Sequence, residues 1–164
     1  EQGYLFNTMH KNVKRLLRLM KQLMDFRKLE NQQMNLKVSE GNLPHFIADI
    51  IKGFEEYATT KTIGIKFSFD ENDQHNYWFD SNILDSIIFN LLSNALKFSP
   101  AESTIQVTLK RIGNQARIKV IDNGIGIPKE EQSKLFNTFY RASNSNGIQG
   151  TGHINSGNWL VIKH

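Results

Sequence analysis

Cysteine is absent from all 164 residues, which excludes disulfides and thiolate metal sites and fits a cytosolic setting. No apolar run is long enough to cross a bilayer, and the opening residues are not a signal peptide. They read as mid-protein sequence, so a fragment of a longer chain is expected. No internal repeat is present. Charge of one sign does not dominate either: 20 Lys and Arg are interspersed with 16 Asp and Glu, for a net charge of +4. The densest basic run, KNVKRLLR at 11–18, sits on a helical pattern and reads as a solvated helix face, with nucleic-acid binding as the alternative. The five histidines have no spacing that suggests a metal site. What is present is ordinary for a soluble fold, 39% apolar and 22% charged, enough for one domain with a sizeable core and a helical appendage.

Phe6, Met9, Val13, Leu16, Met20 and Leu23 recur at alternating spacings of three and four. That is the seam of a helix in a bundle or coiled coil, and the amphipathic stretch continues towards Leu36. One helix cannot bury such a stripe alone, so a partner helix from a second copy is expected. Residues 39–43 read as a polar break, and Pro44 suits the first turn of an amphipathic helix over 45–57. Ile63, Ile65, Phe67 and Phe69 alternate with small or polar residues as a half-buried strand, with which Tyr77-Trp78-Phe79 could pair. Asp80 or Ser81 caps a strong helix that Pro100 stops after Phe98. Strands over 104–111 and 116–121 are joined as a hairpin through Gly113-Asn114. A short helix and an aromatic segment follow, then a Ser/Asn/Gly-rich loop over 142–158. This order predicts an α+β fold, a two-layer α/β sandwich with helices covering one face of a mixed sheet, preceded by the long bundle-forming helix.

Two places carry candidate chemistry. Asn90, Asn94 and Lys97 lie four and three residues apart, on one polar strip beside the apolar stripe of the helix over 81–98. Amide oxygens are hard ligands for magnesium, and a lysine is a point charge for phosphate. A solvent-facing strip is the plain alternative, although asparagine is a poor helix former. In VIDNGIGIPKEE, residues 120–131, an apolar strand delivers Asp122 to its end, and Gly124 and Gly126 alternate with isoleucines. A carboxylate there can accept from an exocyclic amine such as adenine's, and the glycines let a ligand approach the backbone. The plain alternative is a turn. The pattern is not a P-loop.

These segments resemble the ATP-binding domain of sensor histidine kinases, within the fold shared by gyrase-type and chaperone-type ATPases. FNLLSNALKFSP (89–100) is similar to the N box and DNGIGIP (122–128) to the G1 box. LFNTFYR (135–141) is similar to the F box and GTG (150–152) to the start of the G2 box. YWFDSNILDSIIFNLL and MDFRKLE also look like this family, its hybrid members in particular. The resemblance implies ATP and Mg2+ as cofactors. Asn94 matches the magnesium ligand, with Asn90 supporting, and Lys97 the residue facing phosphate. Asp122 matches the acid that reads adenine, with Gly124 and Gly126 shaping its pocket. Phe136 and Phe139 match the F-box aromatics, core packing being their plain alternative, and Gly150 and Gly152 match lid glycines.

On this resemblance residues 1–38 are the second helix of a dimerisation and phosphotransfer hairpin, and 39–164 the catalytic domain without its last strands. The implied parent is a homodimeric, membrane-anchored two-component sensor. It would donate the γ-phosphoryl of ATP to a histidine, for relay to a response-regulator receiver domain. This part would be cytoplasmic, without nucleic acid as a partner. The acceptor motif is missing, since His10 is followed by Lys-Asn-Val-Lys; nucleotide binding without autophosphorylation is therefore expected. A degenerate regulatory module of the same fold is the alternative. A gyrase-like hydrolase would place Glu where Asn90 stands. In the lid, His153-Ile154-Asn155 reads as an insertion before a helix starting near Ser156, with Asn158 replacing an apolar anchor. That segment is expected to be mobile without nucleotide.

Overall fold

A computed structural model describes residues 13, 20, 35–73, 75–134, 143–145 and 160–163. The chain divides into two compact units, Glu1–Lys37 and Val38–His164. In the first, Val13 and Met20 are helical and more than half exposed. Asn35 and Leu36 are already irregular, so the helix stops short of Leu36; the rest of that expected helix lies outside the described residues.

The second unit begins with strand β1, Ser39–Gly41, where a polar break is expected from the sequence. Three residues without alternation carry no strand signal, yet they pair antiparallel with β3, Tyr77–Phe79. Gly41 sits close under the Phe79 ring, where a Cβ would stand 3.2 Å from it and the ring would have to shift slightly. Tyr77–Phe79 therefore does not pair with the strand around Ile65, as the sequence suggests. It forms a separate two-stranded sheet.

Helix α1, Leu43–Lys52, starts at Asn42, whose side chain accepts from the His45 amide at 2.8 Å. Its buried stripe is Leu43, Pro44, Ile47 and Ile51. The single helix expected over 45–57 is in fact two. At Gly53 and Phe54 the amides bond back three residues, to Ile50 and Ile51, which tightens the turn. Phe54 swings into the core with its ring 4.7 Å from that of Phe89, and α2 resumes over Glu55–Thr60.

Strand β2, Gly64–Ser68, runs parallel to β4, Thr104–Ile112, from Gly64 opposite Thr104. The turns that launch the two strands are tied together: Glu102 N–H donates to Thr62 O at 2.8 Å, and Gly64 N–H to Ser103 O at 2.9 Å. Thr62 and Glu102 both take left-handed φ, 56° and 62°, a strained choice held by that bonding. β4 returns through Gly113-Asn114 into β5, Gln115–Ile121. Gly113, at φ 58°, supplies the left-handed first position of the hairpin turn. β6, Leu160–Lys163, adds antiparallel to β5, giving the order β2-β4-β5-β6. A helix start is expected over these residues from the lid pattern. The structure corrects this, since Ala116 to Ile118 offer a ladder that extended backbone can complete.

Helix α3, Ser81–Phe98, buries Leu84, Ile88, Leu92 and Leu96 at four-residue steps. They meet Ile105, Val107 and Leu109 of β4, Ala116 and Ile118 of β5, and Leu43 and Ile47 of α1 in one core. The mixed sheet covered on one face by helices is therefore present.

β3 is anchored at its start. The Tyr77 hydroxyl donates to Asp73 Oδ2 at 2.5 Å, and Asp73 Oδ1 lies 2.6 Å from the His75 ring and 3.8 Å from Arg111. Burial and the hydrogen bond to Asp73 push the Tyr77 phenol up to about 12. For Asp73 burial acts upwards, but the bonds from Tyr77 and His75 outweigh it and hold the carboxyl below its ordinary value.

Candidate nucleotide site

The site is built on the second half of α3. Asp80 caps the helix, its carboxylate accepting from Asn82 N–H at 3.0 Å and Ile83 N–H at 3.2 Å. Because the buried stripe fixes the rotation of the helix, Asn90, Asn94 and Lys97 emerge beside it, each half-buried. Lys97 stands with Nζ 4.5 Å over the Phe98 ring, in the last turn, where the helix dipole favours a cation. Lys61 reaches over from the end of α2, donating to Leu96 O at 3.2 Å. That residue was silent in the sequence, since only the fold brings the two helix ends together.

Asp122 follows directly on β5. Its Oδ1 accepts from the Gly124 amide at 2.8 Å, which folds the loop on itself while the carboxylate stays exposed. Gly124 is packed tightly: a Cβ would meet Asp122 Oδ1 at 2.6 Å and the Phe98 carbonyl oxygen at 3.1 Å. A side chain there would have to displace the Asp122 carboxylate and press on the Phe98 backbone, and this close approach seats the glycine loop on the end of α3. From there Asn94 lies four residues back along the helix and Asn90 eight, roughly 6 and 12 Å at 1.5 Å per residue. Ile125 and Ile127, 51% and 36% exposed, leave an apolar surface open beside Asp122.

Gly126 takes φ 67°, again a conformation that favours glycine. Its carbonyl accepts from Asn144 Nδ2 at 3.1 Å. Glu131, in the 3-10 turn Lys129–Lys134, grips Ser143 through both its amide (2.9 Å) and its hydroxyl (2.6 Å). Residues 143–144 are thus tied to the glycine loop, a tie for which the sequence gives no signal. Gly124, bonded to Asp122 and two residues before Gly126, packs on the Phe98 end of the helix that bears Asn90, Asn94 and Lys97. Phe136, Phe139, Gly150 and Gly152, and with them the expected lid, lie outside the described residues. Among the described residues no three His, Asp or Glu side chains form a metal cluster, and no helix is long and apolar enough to cross a membrane.

Residues 79–160 match the family model described as histidine kinase-, DNA gyrase B-, and HSP90-like ATPase. Histidine kinase P4 of Formosa agariphila is 36% identical over 147 residues, 90% of this chain but 11% of that protein. The chain thus spans about a tenth of that relative's length. The Acinetobacter baumannii histidine kinase AdeS superposes with a TM-score of 0.68 at 21% identity, over 82% of this chain and 65% of that one. Histidine kinase ThkA, solved in complex with the response regulator protein TrrA, superposes with a TM-score of 0.64 at 23% identity, over 95% and 48%. The latter two likenesses speak for the fold.

Proposed function

The chain belongs to the family of histidine kinase-, DNA gyrase B- and HSP90-like ATPases, and from that premise we propose that it is the phosphoryl-donor part of a sensor histidine kinase. The observation that carries the reading is the seating of the Asp122–Gly126 loop on the end of α3 by Gly124. In this reading it would set an acceptor for the adenine amine and an apolar surface beside the end of the helix that carries the Asn90–Lys97 strip.

In this reading the second Asp122 oxygen accepts from the adenine amine while Ile125 and Ile127 cover the ring face. The backbone at Gly124 and Gly126 admits the nucleotide. Lys97 faces the phosphates, and Phe136, Phe139, Gly150 and Gly152 take the roles the family pattern gives them. Asn94, supported by Asn90, would hold Mg2+: two neutral amide oxygens one turn apart, half-buried, are donors this hard cation accepts. When bound, the ion neutralises phosphate charge. The rest of the work is positioning. A neutral histidine nitrogen attacks the γ-phosphorus, the bond to the β-phosphate oxygen breaks, and ADP departs with the electron pair. That histidine belongs to a motif this sequence does not contain.

The parent would be a homodimer through its N-terminal helix, which the exposed Val13 and Met20 support. It would pass the group to a receiver domain, by analogy with ThkA in its complex with the response regulator TrrA. Membrane anchoring would belong to other parts of the parent. Asn90 in place of a hydrolase's glutamate speaks against water as the acceptor. Calorimetric titration with Mg-ADP tests the reading. Binding that Asp122→Asn removes is expected; no binding by the unaltered chain would leave an inert module of the same fold.

A further inference from the structure

Ile125 and Ile127 stand 51% and 36% open to solvent on either side of Gly126. Water does not hold apolar side chains outward, and Gly126 has no side chain to anchor the chain between them. The local turn does not anchor it either, since the bond from the Gly124 amide to Asp122 Oδ1 closes before Ile125 is reached. What holds this stretch comes from farther along the sequence. Asn144 Nδ2 donates to the Gly126 carbonyl at 3.1 Å from 18 positions away. Its neighbour Ser143 donates its amide and its hydroxyl to the two Glu131 oxygens at 2.9 and 2.6 Å, a charge-assisted pair. Glu131 N–H donates in turn to the Pro128 carbonyl at 2.9 Å. Gln132 Nε2 adds a bond to Ile127 O at 3.3 Å. The bonds close a ring, from Gly126 to Asn144, from Ser143 to Glu131, and from Glu131 back to Pro128, with Ile127 inside it.

We propose that Asn144, with Ser143 and Glu131 behind it, is a positioning residue for the nucleotide: it holds the glycine loop, before any ligand arrives, in the form that meets the base. The inference rests on the reading of Asp122, Ile125 and Ile127 as the base end of the site. The seat of Gly124 on Phe98 fixes the loop at one end, and the ring fixes it at the other. A loop so held need not be ordered by its ligand. One released from an anchor binds only for the fraction of time it spends in place. Asn144, Ser143 and Gly126 are all exposed, so the bonds between these segments add little to the stability of the fold. Their effect falls on the loop.

The test titrates the 164-residue chain with ADP labelled by a fluorophore on its ribose, in the presence of Mg2+, with Mg-ADP and adenosine as competitors. Asn144→Asp keeps the shape of the side chain but sets a carboxylate against the Gly126 carbonyl. It is expected to weaken Mg-ADP and adenosine by the same factor, about three- to tenfold, because the ring bears on the base end of the site. Asn144→Gln, which keeps an amide donor, should recover part of the loss, and Ser143→Ala should show a smaller one. The melting temperature without nucleotide should stay where it is, while hydrogen exchange of the Gly124 amide quickens in Asn144→Asp. Unchanged competition by both ligands in Asn144→Asp would overturn the inference. So would a loss confined to Mg-ADP, or one matched by a fall in the nucleotide-free melting temperature. Failure of the unaltered chain to bind labelled ADP would overturn the nucleotide reading, and this inference with it; the Gly124 exchange then shows by itself whether the ring holds the loop.

Discussion

At Gly124 a methyl group would have to displace a neighbour. It would stand 2.6 Å from the Asp122 carboxylate, which would have to rotate, and 3.1 Å from the Phe98 carbonyl, a backbone group that gives less readily. Gly124→Ala should therefore push Asp122 off the Gly124 amide and weaken Mg-ADP binding by about tenfold or more, about 1.4 kcal/mol, measured by calorimetry. Gly124→Ala binding as well as the unaltered chain would mean the loop is not seated as the structure has it. A second prediction concerns Asp73 and Tyr77. The folded state lowers the Asp73 pKa, so its contribution is full above the unfolded value and is lost as pH falls through the folded one. It raises the Tyr77 pKa, so that contribution is full below pH 10 and is lost as pH climbs towards about 12. Denaturant melts should show stability declining at both ends, and Tyr77→Phe should flatten both declines. At this scale Asp122 was legible, because a strand ending in an acid and two spaced glycines is a local pattern. The contact between its loop and Phe98 was not, since two segments some two dozen positions apart say nothing of their distance in space.

Among the elements, α3 illustrates what a strong local signal can do. Its cap, its four-residue apolar steps and its proline stop were all readable in the sequence. Asp80→Ala should cost about 1 kcal/mol and Leu92→Ala about 2–5 kcal/mol, both read by chemical denaturation. A Leu92→Ala loss no larger than the cap's would contradict its complete burial. β4 and β5 were equally legible from alternation and the Gly113 turn. β1 was not, because a three-residue strand exists only through the backbone of β3. The break at Gly53 was also hidden. The apolar periodicity carries on past it, and the demand of the core for Phe54 decides the bend. At β6, Leu160–Lys163, a run of three apolar residues and a lysine suits helix or strand alike, and the open edge of β5 made the choice.

For the molecule as a whole, nucleotide binding should register as stability. If the native domain binds Mg-ADP and the unfolded chain does not, nucleotide at about 100 times Kd should stabilise it by about 2.7 kcal/mol and raise the melting temperature in calorimetry. No shift at saturating nucleotide would count against the site. The unaided sequence determined the elements with their own periodicity, the two motif segments, and the residue types that can meet adenine, phosphate and a hard cation. Those are local properties, written in spacings of two, three and four residues. Tertiary structure alone decided that β2 runs parallel to β4, that β3 leaves for a second sheet, and that Asn144 reaches back to the glycine loop. It alone brought Asp122 to within a glycine's width of the helix bearing Asn90, Asn94 and Lys97. These are long-range pairings, fixed by which surfaces bury each other, and no short window of sequence contains them.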